Sequence, residues 1–347
     1  MPQWFVFRSD QFPVSFRLNW RVPGLLAVLG ILILGTMVAS VSYGEYPVPP
    51  LDVVKTLLRV GTNNTDYAFI VNTLRFPRVL VAVLVGMALA IAGTITQGIL
   101  RNPLAAPGII GINAGAALAA VTLIIALPSV PASVLPIAAF AGGFTVFTLI
   151  YLLAWNGGSS PVRLVLVGIG FSLMTVAITN ILTTFGNINN VSQALVWLTG
   201  SVYGRSWDEV NALLPWLLVG VPLSLLMARD LNALNLGDDI ARGVGTPLEW
   251  RRGILLVTSV ALAGASVATA GTIGFVGFIA PHIARRFVGP SHEGLLLTAA
   301  LVGGLLVVVA DLLGRSLFAP IELPCGLITS AIGAPYFLYL LIQKRKP

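Results

Sequence analysis

The residues of this chain that could do chemistry are few, and they form no standard catalytic arrangement. None of the three lysines follows a glycine, so the Gly-Lys-Ser or Gly-Lys-Thr of a P-loop is missing and no nucleotide site of that kind is predicted. His282 and His292 belong to no HExxH motif, which argues against a catalytic zinc ion. Cys325 is the single cysteine, so an internal disulfide and a thiolate metal cluster are excluded. We predict that the chain is not an enzyme and holds no metal or cofactor of its own.

A pair of arginines in LRFPR, residues 74–78, is the first candidate site. Arg75 and Arg78 stand just before an apolar run, and Pro77 lies where helix starts favour proline. Two fixed guanidinium groups at a helix entry predict a fork that binds carboxylates of another molecule. Anchoring to lipid headgroups is the alternative that this pattern leaves open.

Two proline-interrupted stretches are the next candidates. Pro103 and Pro107 break the chain between two apolar runs in residues 97–115, QGILRNPLAAPGIIGINAG. Such a break is tolerated at membrane depth only where the backbone is buried in protein or lines a water-filled path, so this stretch is a candidate gate. Pro281 interrupts a second stretch, residues 270–289, where we interpret His282 as a packed or interfacial side chain rather than a metal ligand.

A polar segment at residues 227–253, MARDLNALNLGDDIARGVGTPLEWRRG, separates two membrane-length apolar runs. Its apolar residues recur at roughly helical spacing among the charges, at Leu231, Leu234, Leu236, Ile240 and Val244. This pattern predicts one or two short amphipathic helices that dock a partner at the mouth of a membrane bundle. An ordinary solvated loop is the alternative.

The elements that must position these residues are membrane-spanning helices. Mean hydropathy is +0.92, and only 10% of the residues are charged, against about 25% in soluble domains. A transmembrane helix takes roughly 20 apolar residues, so we predict one all-α polytopic domain over residues 1–347 with about ten spans. A short segment, residues 1–21, precedes the first. The spans are predicted at 22–43, 79–100, 106–127, 132–154, 162–185, 211–228, 252–270, 273–288, 294–312 and 324–342. Small residues four apart, such as Gly111 and Gly115, Ala300 and Gly304, and Gly326, Ser330 and Ala334, predict close helix packing.

The distribution of positive charge predicts the orientation. Fourteen of the twenty Lys and Arg residues fall on one side of the membrane when the ten spans alternate, and short cytoplasmic loops are enriched in such residues. Both termini are therefore predicted to be cytoplasmic, together with the loop at residues 229–252. Topology also explains the net charge of +7 without nucleic acid. No span carries an ionisable residue near its centre, which disfavours an ion-coupled secondary transporter, although backbone carbonyls alone can bind sodium.

Five stretches, in order along the chain, resemble the FecCD-type permeases, the membrane subunits of ABC importers for iron-siderophores, haem and vitamin B12. They are residues 74–116, WLTGS at 197–201, LNALNLGDDIARGVG at 231–245, AGTIGFVGFIAPHIARRFVG at 270–289, and DLLGRSLFAPIELPCGLITSAIGAPYF at 311–337. The resemblance implies the type II ABC importer permease fold.

The resemblance also implies a role for particular residues. Docking of a solute-binding protein is implied for Arg75, Arg78 and Arg315. Coupling to an ATPase is implied for Leu236, Gly237, Asp238, Ala241, Arg242 and Gly245. A gate or pathway role is implied for Asn102, Pro103, Leu104, Ser159 and Ser160, with the span at 162–185 lining the path.

The function implied is import of an iron(III)-siderophore or ferric citrate across the bacterial inner membrane. The partners implied are a second permease, identical or homologous, two cytoplasmic ATPases that bind ATP and magnesium, a periplasmic or lipid-anchored solute-binding protein, and the lipid bilayer. Haem and cobalamin are the rival substrates. An ion-coupled carrier and a scaffolding membrane protein remain as alternatives of other classes.

Overall fold

The computed structural model describes residues 4–8, 15–60 and 65–343, which form a helical bundle and one small hairpin. The hairpin pairs two antiparallel strands, β1 (Trp4–Arg8) and β2 (Ser15–Asn19), with Trp4 opposite Asn19. The helices are α1 (Arg21–Ser42), α2 (Pro50–Leu57), α3 (Thr65–Phe69), α4 (Phe76–Leu100), α5 (Ile112–Ala126), α6 (Val134–Ala154), α7 (Pro161–Phe185), α8 (Ile188–Thr199), α9 (Trp207–Leu226), α10 (Ala228–Leu236), α11 (Asp238–Gly243), α12 (Leu248–Ala270), α13 (Val276–Val288), α14 (His292–Ser316) and α15 (Cys325–Gln343).

The prediction of a polytopic all-α protein is confirmed for the described residues beyond the hairpin. Among the described residues, eight helices are long and apolar enough to cross a membrane, namely α1, α4 with its N-terminal extension, α6, α7, α9, α12, α14 and α15. The two remaining predicted spans correspond to α5 and α13, which have 15 and 13 residues. Hydropathy located the spans because each one is a local property of the sequence.

The second span begins earlier than predicted. Helix continues from α3 through a π-helical turn, Ile70–Arg75, into α4, and the apolar stretch starts at Asp66 rather than residue 79. The carbonyl oxygen of Asn72 in the π turn accepts a hydrogen bond from the indole of Trp207 at 2.9 Å. Arg75 and Arg78 therefore lie inside a helix, not ahead of one.

Helix α4 is the centre of the bundle. In an 18-residue apolar window of the span that contains it, 89% of the residues are buried within the chain, against 22% in the window of α1 and 17% in that of α7. It packs against α12, α13 and α14. The central position of α4 fixes its two ends, which carry Arg78 and Arg101 roughly 34 Å apart at the rise of an α-helix. The exposed faces of α1 and α7 must be covered by lipid or by another subunit.

Glycine pairs allow this close packing. Gly86 lies against the backbone of Gly303 in α14, and Gly93 against that of Gly277 in α13, so a Cβ at either position would collide with a carbonyl group. In lipid, small residues of this kind let helix backbones approach and gain dispersion contacts.

Three of the small residues singled out in the sequence also lie at contacts between helices or loops. Gly115 faces Gly142 of α6, Gly304 faces Val83 and Met87 of α4, and Gly326 faces the carbonyl of Thr199. The two pairs at the centre of the bundle, Gly86 with Gly303 and Gly93 with Gly277, were not predicted.

Candidate functional sites

The end of the bundle that is predicted to face outward holds a cluster of charged side chains centred on Asp311, which we call the outer cluster. Its carboxylate is 3% exposed, and Oδ1 accepts from Nε and Nη2 of Arg78 at 3.2 and 2.8 Å. Oδ2 lies 3.2 Å from Nε of Arg315. Nη1 of Arg78 donates to Oε2 of Glu322 at 2.9 Å, and its guanidinium lies 5.3 Å from the centre of the Tyr203 ring. Asp311 thus joins two of the three predicted docking arginines.

Arg315 and Arg75 both bind the end of α1 and the residues that follow it. Nη2 of Arg315 donates to the carbonyl and hydroxyl oxygens of Ser40 at 3.1 and 2.5 Å. Arg75 donates to the carbonyl oxygens of Val41 and Tyr46 at 2.8 and 2.7 Å. The last carbonyls of a helix lack intrahelical partners, so these guanidinium groups complete the hydrogen bonding of α1.

The three arginines therefore lie together, but their partners are groups of this chain. The sequence pattern predicted a fork open to carboxylates of another molecule, and could not reveal that Asp311 and Glu322 occupy it. The Glu322 side chain is the accessible member, at 37% exposure against 12% for Arg78. A cavity of about 420 Å³ opens beside the cluster, lined by Tyr43, Gly44, Glu45, Arg315, Ala319, Pro320 and Glu322. Docking of a partner here remains a prediction.

The opposite end of the bundle, which the charge distribution predicts to face the cytoplasm, holds a second cluster, which we call the inner cluster. It consists of Arg101, Ser159, Asp238, Glu249 and Arg252. Oδ1 of Asp238, the first residue of α11, accepts from Nη2 of Arg101 and from Nη2 of Arg252, each at 2.6 Å. One carboxylate oxygen therefore bridges two guanidinium groups from different helices.

Ser159, in the loop between α6 and α7, completes the inner cluster. Its carbonyl and hydroxyl oxygens lie 2.5 and 3.0 Å from Nη1 of Arg252. Its backbone N–H and hydroxyl donate to Oε2 of Glu249 at 2.9 and 2.5 Å. Ser159 is thus a buried loop residue whose hydrogen-bond donors and acceptors are both paired with side chains from the first turns of α12.

The predicted gate residues Asn102, Pro103 and Leu104 lie in the turn that ends α4. Arg101 begins this turn in the left-handed conformation, with φ of 51°, and the side chain of Asn102 accepts from the N–H of Leu104 at 2.9 Å. Gln97, in the last turn of α4, stabilises the turn because its Nε2 donates a hydrogen bond to the carbonyl oxygen of Ala105 at 3.2 Å.

A polar cavity of about 480 Å³ connects some of the predicted gate and coupling residues. It is lined by Leu100, Arg101, residues 156–163, Asp238, Arg242 and Glu249. Ser159 and Ser160 thus share one cavity with Asp238 and Arg242. The turn residues Asn102, Pro103 and Leu104 do not line it.

The polar segment between α9 and α12 forms two short helices, α10 and α11, as predicted. One face packs on the bundle through Leu231, Leu234 and Ala241, each no more than 1% exposed. Gly237 joins the helices at a φ of +126°, a conformation that favours glycine.

The other face of α10 and α11 is exposed and apolar. Leu236, Ile240 and Val244 are 66%, 50% and 68% exposed, and they recur at a spacing of four residues. We call these three residues the apolar stripe. Asp239 and Arg242 flank it in a loose ion pair at 3.6 Å. Gly245 is exposed at its far end. An apolar stripe in the aqueous phase is typical of a docking surface.

Helix α10 is also anchored to α14. Oδ1 of Asn232 accepts from the backbone N–H of His292 at 2.9 Å and lies 2.7 Å from the Nδ1 of the same residue. Nδ2 of Asn232 donates to Oε2 of Glu293 at 2.9 Å. The apolar stripe is therefore presented on a surface held firmly to the membrane bundle.

Several residues that build these sites were missed by sequence reasoning. Glu249 and Arg252 were included only as the edge of a polar segment, and Gln97 only as the start of a stretch. A buried arginine has to find hydrogen-bond partners, but its burial cannot be inferred from its place at the start of an apolar run.

The fold is that of a polytopic helical membrane protein with a cluster of charged side chains at each end of its bundle. The model of the FecCD transport family matches residues 31–343. The achromobactin transport system permease protein CbrC of Dickeya dadantii (strain 3937) is 45% identical over 341 residues, covering 98% of this chain and 97% of that protein. The Fe(3+) dicitrate transport system permease protein FecD of Escherichia coli (strain K12) is 40% identical, with 92% and 99% covered. The hemin transport system permease protein HmuU of Yersinia pestis is 39% identical, with 95% and 99% covered.

A solved structure shares the fold. It is an inward-facing conformation of a metal-chelate type ABC transporter, with a TM-score of 0.83, 29% identity, and coverage of 92% of this chain and 99% of that one. The chain belongs to the FecCD transport family, and it is a transport permease.

Proposed function

We propose that this chain is the permease subunit of an ATP-driven importer of iron(III) chelates in the bacterial inner membrane. The apolar stripe is the observation that carries the proposal. The chain has no P-loop, and the apolar stripe offers a surface on which a separate ATPase could dock. The stripe lies on helices that are bonded directly to the inner loops of the bundle. Leu236, Ile240 and Val244 would enter a groove of that subunit, and Gly237, Asp238, Ala241, Arg242 and Gly245 would shape and hold the surface.

The substrate class follows from the relatives and from the side chains available. The similar proteins are named for achromobactin, ferric dicitrate and hemin. Among the described residues, no group of three His, Cys, Asp or Glu side chains could hold a metal ion. Iron would therefore pass inside its chelate, as a ferric siderophore or ferric citrate, rather than as a bare ion. Haem is the second candidate, supported by the hemin permease, and cobalamin the third.

A second permease would complete the pathway. Only 17% of the residues in an 18-residue apolar window of α7 are buried within this chain, and residues 164–204 contain no charged side chain. Helix α7 would line a path against its counterpart in an identical or homologous subunit. Asn102, Pro103, Leu104, Ser159 and Ser160 would form the cytoplasmic constriction of that path. ATP-driven closure of two ATPases would move α10 and α11, and the bundles would rock between outward-open and inward-open states.

The outer cluster would receive a solute-binding protein through Arg75, Arg78 and Arg315. Because Arg78 is held by Asp311 and Glu322, a carboxylate of the partner would have to replace the exposed Glu322 as a ligand of Arg78. Binding of a copurified solute-binding protein should then weaken with salt. Affinity that does not change with salt would argue against this docking mode.

Copurification tests the docking of an ATPase on the apolar stripe. The tagged chain is isolated from its native membrane, and the ATP hydrolysis that accompanies it is measured. Ile240→Glu places an unpaired charge in the docking groove and should remove at least 90% of this activity, about 1.4 kcal/mol or more of binding free energy. Trp250→Glu, at a position outside the stripe that is 70% exposed against 50% for Ile240, is the control. Full activity with Ile240→Glu would refute the assignment.

A further inference from the structure

The buried guanidinium of Arg252 links segments that sequence motifs treat as separate. Its side chain is 1% exposed in the first turns of α12. A buried charge is stable only when its partners are close and its hydrogen bonds are made. The Nη1 and Nη2 atoms of Arg252 meet this requirement with both oxygens of Ser159, in the loop between α6 and α7, and with Asp238 of α11. Its Nε atom is buried and has no hydrogen-bond partner among the described residues.

The bond from Asp238 extends the link to a second loop. The same Oδ1 atom binds Arg101, which ends α4 and begins the turn containing Pro103. Helix α11 is therefore linked to two of the loops at this end of the bundle, to the turn after α4 through Arg101 and to the loop between α6 and α7 through Arg252.

The two links differ in exposure. The side chain of Arg101 is 36% exposed and that of Asp238 is 25% exposed, so water and salt screen their ion pair. Arg252 is enclosed, and it also lies 3.9 Å from the carboxylate of Glu249, which itself holds Ser159. Breaking the Arg252 link would leave a buried charge without its ligands, while breaking the Arg101 link would expose both groups to water.

We propose that Arg252 is a positioning residue that makes α11 and the Ser159 loop move as one rigid unit, whereas the Arg101 turn is joined to that unit by a releasable ion pair. This inference rests on the proposed function, because it assigns the route by which motion of the apolar stripe reaches the inner constriction. One loop follows α11 in every state, and the other separates from it.

Spin-label distances in the full chain test the rigid unit. The background is Cys325→Ser, and the labels are attached at Asn156→Cys and Asp239→Cys, two exposed positions on either side of the Arg252 link. With the native Arg252, the distribution of distances between the two labels is expected to be narrow. Adding a non-hydrolysable ATP analogue to the copurified complex should leave this distribution unchanged. With Arg252→Gln, it should broaden and shift with nucleotide.

Two further variants keep the test decisive. Arg251→Gln alters the neighbouring arginine, which is 39% exposed and lies 3.5 Å from Asp230, and it should leave the distribution narrow. Asp238→Asn keeps the side-chain size but removes the bridging charge, so it should broaden the distribution even where Arg252→Gln fails to fold.

The outcomes separate the inference from the proposed function. Narrow, identical distributions in Arg252→Gln and Asp238→Asn would overturn the rigid unit. Absence of a copurifying ATPase would overturn the proposed function instead, while the nucleotide-free distributions in the chain alone would still decide the rigid unit.

Discussion

At the outer end of the bundle, Arg78 is bound to carboxylates 233 and 244 residues away in sequence. Asp311 is nearly enclosed, and two arginines share it. Hydrogen bonds to charged groups in such places are strong because water cannot replace them. The cluster therefore joins the N-terminal and C-terminal parts of the bundle as well as forming a candidate docking site.

Removing the Arg78 side chain should destabilise the protein. Arg78→Ala leaves Asp311 with Arg315 as its remaining cation, and the loss should be about 2 kcal/mol, the size of a hydrogen bond to a charged group. The measurement is the thermal unfolding midpoint of the purified chain in detergent. Lys55→Ala removes a cation that is 54% exposed and 3.9 Å from its partner, so it should leave the midpoint nearly unchanged. Equal midpoints for both variants would contradict a structural role for the cluster.

Among the elements, α4 depends most on glycine. Its contacts with α13 and α14 are backbone to backbone at Gly93 and Gly86, and no side chain can be accommodated there without moving a helix. Interior packing transmits such a shift, because helices in a dense bundle have little free volume.

A methyl group at Gly93 should separate α4 from α13. Gly93→Ala is expected to cost about 1–3 kcal/mol, as overpacking does in well-packed cores, and to lower the thermal unfolding midpoint in detergent. Gly30→Ala, on the largely exposed α1 where an added Cβ would meet nothing within 4 Å, should have no such effect. An unchanged midpoint for Gly93→Ala would show that α13 can move away at no cost.

The elements were largely predictable, and their pairings were not. Hydropathy located the eight helices that are long enough to cross a membrane and the two shorter helices α5 and α13. The spacing of leucines revealed α10 and α11, because both kinds of pattern are local. The start of the second span was missed because Asn72 and Arg75 lower the hydropathy of a continuous helix. The inner cluster was missed because it joins residues 101, 159, 238, 249 and 252, whose proximity depends on the packing of four helices.

The same reasoning explains why the coupling residues were only partly understood. Asp238 was assigned to ATPase coupling with Leu236 and Arg242, but its carboxylate faces Arg101 and Arg252 of this chain. Leu236 and Arg242 are exposed. The sequence was sufficient to predict which segment would dock a partner. Only the packing of α11 shows which of its side chains are exposed and available to that partner.

On the scale of the whole molecule, a polar cluster lies at each end of a bundle whose central helix is nearly enclosed. The outer cluster stabilises the bundle at the end where a solute-binding protein would deliver substrate, and the inner cluster attaches α11 to loops that would form part of the path. The chain would then convert movement of an attached ATPase into opening and closing of a pathway shared with a second subunit.

ATP-dependent uptake by the copurified complex tests this account most directly. The complex is reconstituted in proteoliposomes and supplied with radioactively labelled ferric citrate, a ferric siderophore, haem and cobalamin. We expect accumulation of one iron chelate that requires ATP on the side of α10 and α11, persists with a protonophore, and is lost with Ile240→Glu. Uptake by the chain alone without an ATPase subunit, or uptake that the protonophore abolishes and ATP depletion does not affect, would contradict it.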